Sequence, residues 1–226
     1  MTEPPVRPGC EPFSLSGGQI GVLMVHGFTG SPASMRPIGG WLASEGLSVE
    51  GVRLPGHGTD EDDLRTRRWT EWVDAAASGL DALRARCRTI VAFGQSMGAS
   101  VVLSLVASRP HEVDGIALTN PYVFDRRLLA LPIGGRLLRT VKGVANDIAK
   151  PGQDERGDTV TPVPAIAEMA AMMRLVRASL PEIRQPIGSS ARAPTTSSPA
   201  RTPRRCSSGS VRSAESWSCA RTPTTW

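Results

Sequence analysis

The sequence GQSMG at residues 94–98 places a serine between two glycines, a spacing typical of turns that expose a nucleophilic serine hydroxyl. An apolar, β-type run at residues 89–93 precedes it, and an apolar run suited to a buried helix follows at residues 99–107. A strand, this pentapeptide and a helix form the sharp turn that exposes a nucleophilic serine. Glycines let the neighbouring backbone approach, and the helix N-terminus favours a developing negative charge. The pattern therefore predicts that Ser96 is a catalytic nucleophile.

A second glycine-bounded segment is suited to the same chemistry. Residues 20–25 (IGVLMV) are typical of a buried strand, and the loop HGFTGS follows directly at residues 26–31. Such a loop after an early strand can supply one backbone N–H of an oxyanion hole. The residue after the nucleophile supplies the other N–H, and here that residue is Met97.

Four motifs together resemble the α/β-hydrolase superfamily, and more closely its small bacterial carboxylesterases and monoacylglycerol lipases. They are HGFTG (26–30), RLPGHG (53–58), WTEW (69–72) and GQSMG (94–98). The similarity extends over roughly residues 19–187 and implies an α/β-hydrolase fold: a mostly parallel sheet with helices on both faces and a helical cap. It further implies that Phe28 and Met97 donate the oxyanion-hole amides. A small-molecule ester or acylglycerol would be the substrate, with no cofactor and no metal.

The rest of the body alternates strands with helices, as an α/β protein should. The expected strands are 20–25, 47–54, 89–93 and 114–119, and the expected helices are 32–43, 70–84, 99–107, 126–150 and 164–180. In the resembling family a cap covers the active site at about residues 122–180. Apolar residues at 128–138 and 169–175 could line an acyl pocket there, but we expect most of them to make ordinary packing contacts.

Composition limits the classes of partner. The formal net charge is +5, but residues 188–226 hold six arginines and one acid, so residues 1–187 carry equal numbers of basic and acidic groups. The body is thus neutral. The arginine-rich tail could contact nucleic acid or anionic lipid, but a solvated, disordered segment is the expectation, so no nucleic-acid partner is expected. The four cysteines are not spaced like metal ligands. Residues 1–18 are interpreted as a leader segment, and this segment lacks the apolar region of a signal peptide. No apolar run is long enough to cross a membrane. A cytoplasmic location is the resulting expectation.

The resemblance stops after Ile187. Residues 188–226 are rich in Ser, Thr, Pro and Arg, with Val211 as the single Val, Ile or Leu. Such a composition predicts a disordered tail and leaves the C-terminal strands and helix of the fold missing. The family needs an Asp and then a His in this region, and this chain has neither there. Its three histidines precede residue 112, and we expect His26 and His57 to be structural and His111 to lie on the surface.

A shift of the reading frame would explain this change. If the codons of residues 194–199 (PTTSSP) are GC-rich, the frame that starts on each third base can encode Asp-Asp-Val-Val-Pro. In the same frame, residues 222–226 (TPTTW) can encode Ser-Tyr-His-Val. These segments resemble the catalytic-acid and catalytic-histidine loops of the family, in the required order. The hypothesis is a shift of one base near Ile187 or Gly188.

Three functional interpretations follow from these residues. The first is a serine carboxylic ester hydrolase whose triad is broken in this chain, since the catalytic Asp and His are absent. The second is a non-catalytic, hydrolase-like protein that binds an acyl ligand. The third is an unstable product of a damaged gene.

Overall fold

The structure, a computed structural model, describes residues 4–124, 140–142 and 160–190. Eight strands are present in this part of the chain: β1 (Phe13–Leu15), β2 (Ile20–Val25), β3 (Ser48–Val52), β4 (Thr89–Gln95), β5 (Gly115–Thr119), β6 (Thr140–Lys142), β7 (Val160–Pro162) and β8 (Ile187–Ser190). Six of them form one sheet in the order β1-β3-β2-β4-β5-β8. Only β1 runs antiparallel to its neighbour in this sheet. The strands that precede the predicted site loops, β2 and β4, are therefore adjacent at its centre.

Helices cover both faces of the sheet. They are α1 (Arg36–Ser44), α2 (Glu61–Thr66), α3 (Trp69–Arg84), α4 (Met97–Ser108) and α5 (Val163–Ser179), with short 3-10 turns at Pro32–Ser34 and Leu180–Glu182. Side chains of β2 alternate between the two faces: Leu23 and Val25 pack in the main core with α3, α4 and α5. Val22 and Met24 pack in a smaller core beside α1. This mostly parallel α/β architecture confirms the predicted fold class.

The helix after the predicted nucleophile is buried on almost all sides. Nine of the twelve residues of α4 are buried, because α4 lies on the sheet and contacts α3 and α5. This burial explains why its sequence is apolar without the one-sided pattern of a surface helix. A helix enclosed in this way gives the residue at its N-terminus a fixed position.

The predicted leader contributes a strand to the sheet. Within residues 1–18, β1 pairs with β3 and Phe13 is buried. Its ring fits where two glycines leave space, since a Cβ at Gly51 would lie 2.1 Å from the ring and one at Gly39 would lie 2.8 Å from it. The boundary predicted at residue 18 therefore does not mark the start of the folded core.

The helix predicted at 126–150 is wrong for residues 140–142, the part of this segment that the structure describes. Thr140–Lys142 is the strand β6, which pairs antiparallel with β7. The local apolar pattern carries no information about a partner almost 20 residues away, so the pairing overrides the expected helix. The helix predicted at 164–180 is confirmed as α5. Residues 125–139 and 143–159 of the predicted cap lie outside the described residues.

The predicted disordered tail begins slightly too early. Gly188, Ser189 and Ser190 continue β8 beside β5, although all three are exposed. Backbone pairing needs no apolar side chain, so a polar segment can extend an edge strand where it could not form a buried one. Residues 191–226, which include the remainder of the predicted tail, lie outside the described residues.

Candidate active site

Ser96 stands on a tight turn between β4 and α4. Its backbone has φ 52° and ψ −119°, a conformation that residues with a side chain rarely adopt. Hydrogen bonds hold it there: the Ser96 N–H donates to Thr119 O (2.9 Å), and Ser96 O accepts from the N–H of Tyr122 (3.1 Å) and of Ala99 (3.1 Å). The strained backbone is thus maintained by the end of β5 and the first turn of α4.

The two glycines of the pentapeptide permit this turn by close packing. A Cβ on Gly94 would lie 2.6 Å from Gly98 O, and a Cβ on Gly98 would lie 2.3 Å from Val25 O. Distances this short exclude any side chain because the opposing atoms belong to the backbone. The glycines therefore allow α4 to start directly against the end of β2.

The loop after β2 lies beside the serine. A Cβ on Gly27 would be 3.3 Å from Ser96 Cβ and 3.9 Å from Ser96 Oγ. The loop turns back because Thr29 adopts φ 58° and the Gly30 N–H donates to Gly27 O (3.1 Å). The structure thus brings the HGFTG loop and Ser96 together, as the sequence predicted. Among the described residues, no backbone acceptor is bonded to the N–H of Phe28 or of Met97.

The His26 side chain connects this loop to the segment after β3 through two hydrogen bonds. Its Nδ1 donates to Gly27 O (2.9 Å), and its Nε2 accepts from the Leu54 N–H (3.2 Å). The ring is fully buried, and this burial lowers its pKa from 6.5 to about 4. His26 is therefore neutral near pH 7 with both nitrogens engaged, which leaves no lone pair to accept a proton from Ser96.

His57 belongs to an aromatic cluster beneath the same loop. Its ring centroid lies 5.2 Å from that of His26, 5.8 Å from Phe28 and 5.6 Å from Trp72, all in edge-to-face geometry. Pro55 O accepts from His57 Nδ1 (3.2 Å) and from Trp72 Nε1 (3.0 Å). Burial and then the neighbouring His26 lower the pKa of His57 to about 3. The motifs RLPGHG and WTEW thus support the Phe28 loop, a role that sequence reasoning did not assign to Trp72.

His111 and the apolar residues suggested for an acyl pocket do not lie together at Ser96 in the described part of the chain. His111 is exposed, and within the described part of the chain no histidine is hydrogen bonded to Ser96. Three methionines suggested for an acyl pocket, Met169, Met172 and Met173, are buried in the main core, whereas Leu175 is 54% exposed. The other candidates, at 128–138, lie outside the described residues.

No group of three or more histidine, cysteine or carboxylate side chains in this part of the chain is arranged to hold a metal ion. No helix in the described ranges is long and apolar enough to cross a membrane.

The two buried histidines predict a loss of stability in mild acid. Their folded pKa values lie below the ordinary value of 6.5, so the unfolded chain binds protons that the folded chain does not. Stability is therefore complete above about pH 6.5 and falls as the pH decreases toward the folded values. Between pH 8 and pH 5 we expect a loss of about 2 kcal/mol for each histidine.

Urea unfolding at several pH values measures this dependence. In the variant His57→Phe, which keeps an aromatic ring but not the titrating group, about half of the loss between pH 7 and pH 5 should disappear. An unfolding free energy that is constant over this interval in the unmodified chain would contradict the assignment.

The parallel sheet, the helices on both faces and the serine on a strained strand-to-helix turn define an α/β-hydrolase. The family model described as serine aminopeptidase, S33, matches residues 19–187, and the chain belongs to this family. The sequence is 36% identical over 180 residues to a thermostable monoacylglycerol lipase from a Bacillus species, covering 79% of this chain and 72% of the relative. It is 31% identical over 96 residues to a carboxylesterase of Bacillus subtilis, covering 42% of this chain and 39% of that protein.

A solved structure supports the same assignment. It comes from work on LipS and LipT, two metagenome-derived lipolytic enzymes, and shares 31% sequence identity with this chain. The TM-score is 0.77, and the match covers 83% of this chain and 77% of the other. The chain is therefore an α/β-hydrolase of the monoacylglycerol lipase and carboxylesterase type, a group of carboxylic ester hydrolases.

Proposed function

We propose that this fold performs serine-dependent hydrolysis of carboxylic esters and that Ser96 is its nucleophile. One observation carries the proposal: a non-glycine residue is held at φ 52° at the N-terminus of a buried helix, with the Gly27 loop against it. Strain of this kind persists only where the surrounding structure maintains it, and it concentrates at functional sites. The position also favours negative charge, because the helix N-terminus directs unpaired N–H groups outward.

The chemistry would proceed in two steps. Ser96 Oγ attacks the ester carbonyl while a histidine takes the serine proton, and an aspartate keeps that histidine in the correct tautomer. The N–H groups of Phe28 and Met97 stabilise the tetrahedral oxyanion. Collapse of this intermediate breaks the ester bond, the alcohol leaves with the proton, and water then releases the acid from the acyl-serine. No metal and no organic cofactor takes part in this scheme.

The substrate class we propose is a small ester or a monoacylglycerol. The names of the two relatives, a monoacylglycerol lipase and a carboxylesterase, support this choice over a peptide. Phe28, a half-buried aromatic residue of the loop beside Ser96, also suits an uncharged acyl group.

This chain carries the nucleophile half of the site without its proton acceptor. Its histidines are His26, His57 and His111, and both nitrogens of His26 are already bonded to the backbone. We propose that a one-base frame shift near Ile187 or Gly188 removed the catalytic Asp and His. The end of the family match at residue 187 supports this position, because the composition changes there as well. The nucleotide sequence across the codons of Gln185 to Pro194 is the direct test.

Without the Asp–His pair, residues 1–226 should hydrolyse p-nitrophenyl esters only near background, and Ser96→Ala should remove what remains. The serine would keep its weak intrinsic nucleophilicity, helped by the oxyanion hole alone. Turnover of about 1 s⁻¹ or more, typical of working enzymes, would contradict the loss of the base. Turnover that is unchanged in Ser96→Ala would contradict the choice of nucleophile. Thermal stabilisation by an acyl ligand with no turnover would favour the binding protein instead.

A further inference from the structure

The loop after β2 contains a residue whose backbone conformation is unusual for its type. Among the described residues, three non-glycine residues have a positive φ, and Thr29, at 58°, is the β-branched one. A positive φ brings the Cβ of a residue close to the preceding carbonyl oxygen, and β-branched residues tolerate this least. Such strain persists only where other contacts maintain it. Thr29 therefore needs a contact that compensates for the repulsion.

The hydroxyl group of Thr29 makes this contact. Its Oγ1 donates to Phe28 O (2.7 Å), the same carbonyl oxygen that the positive φ brings close to the side chain. The Thr29 side chain is buried, so little water competes for the bond, and a hydrogen bond is stronger in such surroundings. The hydroxyl thus turns a steric repulsion into an attraction.

The positive φ of Thr29 closes a four-residue turn at positions 27–30. The Gly30 N–H donates to Gly27 O (3.1 Å) across this turn, and Thr29 is its third residue. A positive φ at the third position is typical of a type II turn, where glycine or asparagine is usual. His26 Nδ1 donates to the same oxygen, Gly27 O (2.9 Å). Two donors therefore hold Gly27 O inside the loop.

The position of Gly27 O determines the direction of the Phe28 N–H. The peptide bond between Gly27 and Phe28 is trans and planar, so its C=O and N–H groups point in opposite directions. Because Gly27 O points into the loop, the Phe28 N–H points out of it. The direction of this N–H thus depends on a turn that Thr29 keeps closed.

We propose that Thr29 is a positioning residue of the oxyanion hole: the bond from its hydroxyl to Phe28 O maintains the turn that fixes the Phe28 N–H. This inference rests on the proposed function, in which that N–H stabilises the oxyanion. A donor of this kind is effective when it is already in place as the charge develops. Threonine restricts the loop more than glycine would, because glycine has access to more backbone conformations.

Three substitutions separate this role from simple filling of space. Thr29→Val keeps the branched shape without the hydroxyl, Thr29→Ser keeps the hydroxyl, and Thr29→Gly removes the side chain but tolerates a positive φ. If the hydroxyl maintains the turn, valine is the most disruptive replacement, and serine and glycine recover most of the loss. If the side chain only fills space, the order is reversed, since glycine leaves a cavity and valine does not.

Hydrogen exchange of the Gly30 amide, which closes the turn, measures this order without any turnover. We expect exchange at least about tenfold faster in Thr29→Val than in the unmodified chain, with serine and glycine within about threefold. The matched control is Thr59→Val, which removes another buried threonine hydroxyl, the donor to Asp63 Oδ2 (2.7 Å). Equal exchange in Thr29→Val and Thr59→Val, or the fastest exchange in Thr29→Gly, would overturn the proposal.

Hydrolysis of p-nitrophenyl butyrate by residues 1–226, after subtraction of the rate of Ser96→Ala, measures the effect on the reaction. Thr29→Val should lower kcat by about tenfold or more and leave KM within about twofold, because oxyanion donors act mainly in the transition state. Thr29→Ser should restore kcat, and Thr59→Val should not lower it. An unchanged kcat with a raised KM in Thr29→Val would overturn the positioning role. A rate that Ser96→Ala does not lower would instead contradict the proposed function, while exchange of the Gly30 amide still tests the turn.

Discussion

Shifting the reading frame by one base near the codons of Ile187 and Gly188 is expected to raise ester hydrolysis by on the order of 10⁴–10⁶. The reason is that the new frame would return the aspartate and the histidine together, while β4, α4 and the loop after β2 already hold Ser96. Loss of triad members in a related mechanism costs a factor of this size, with a small residual rate from the oxyanion hole. Initial rates with p-nitrophenyl esters of short and medium chain length measure the gain.

The control is the same frame-shifted protein with Ser96→Ala, which should lose the gain completely. Labelling by a fluorophosphonate gives an independent readout, since it requires an activated serine: the frame-shifted protein should be labelled and the alanine variant should not. If the shifted frame encodes neither an Asp nor a His in the expected loops, the frame-shift hypothesis is wrong, and the non-catalytic interpretation becomes the leading one.

Replacing Gly98 by alanine is expected to cost several kcal/mol of stability, enough to unfold much of the protein. The added Cβ would lie 2.3 Å from Val25 O and 2.4 Å from His26 O, and both are backbone atoms. To make room, α4 would have to move away from β2, and this helix lies in the main core. Native domains are stable by only about 5–15 kcal/mol, so such a displacement removes a large part of the total.

The matched control for this substitution is Gly40→Ala. Gly40 lies within α1 and is exposed, and apart from the neighbouring backbone of its own helix no described atom would lie within 4 Å of its Cβ. Alanine there should stabilise the protein by about 0.5–1 kcal/mol through helix propensity. Thermal and urea unfolding of both variants measure the difference. Equal stability of the two variants would show that the close approach at Gly98 is not maintained in solution.

The ends of β2 and β4, where the site loops begin, could be predicted from the sequence. The apolar run before GQSMG predicted β4, and the glycines around Ser96 predicted a close approach that the distances confirm. The HGFTG loop was correctly placed beside the serine because β2 and β4 are neighbours. The segment at 126–150 could not be judged in the same way, since Thr140–Lys142 depends on pairing with a strand distant in the sequence. The catalytic roles of Ser96, Phe28 and Met97 stay predictions.

The sequence by itself determined the class of this protein and the position of the strand-to-helix turn at Ser96, because strand, turn and helix signals there are local. Glycine spacing and apolar runs act over a few residues and can be read directly. Only the tertiary structure decided that His26, His57, Phe28 and Trp72 form one support for the loop. It alone decided that residues 13–15 join the sheet beside β3. These features depend on contacts between distant segments, which arise only when the chain has packed around a common core.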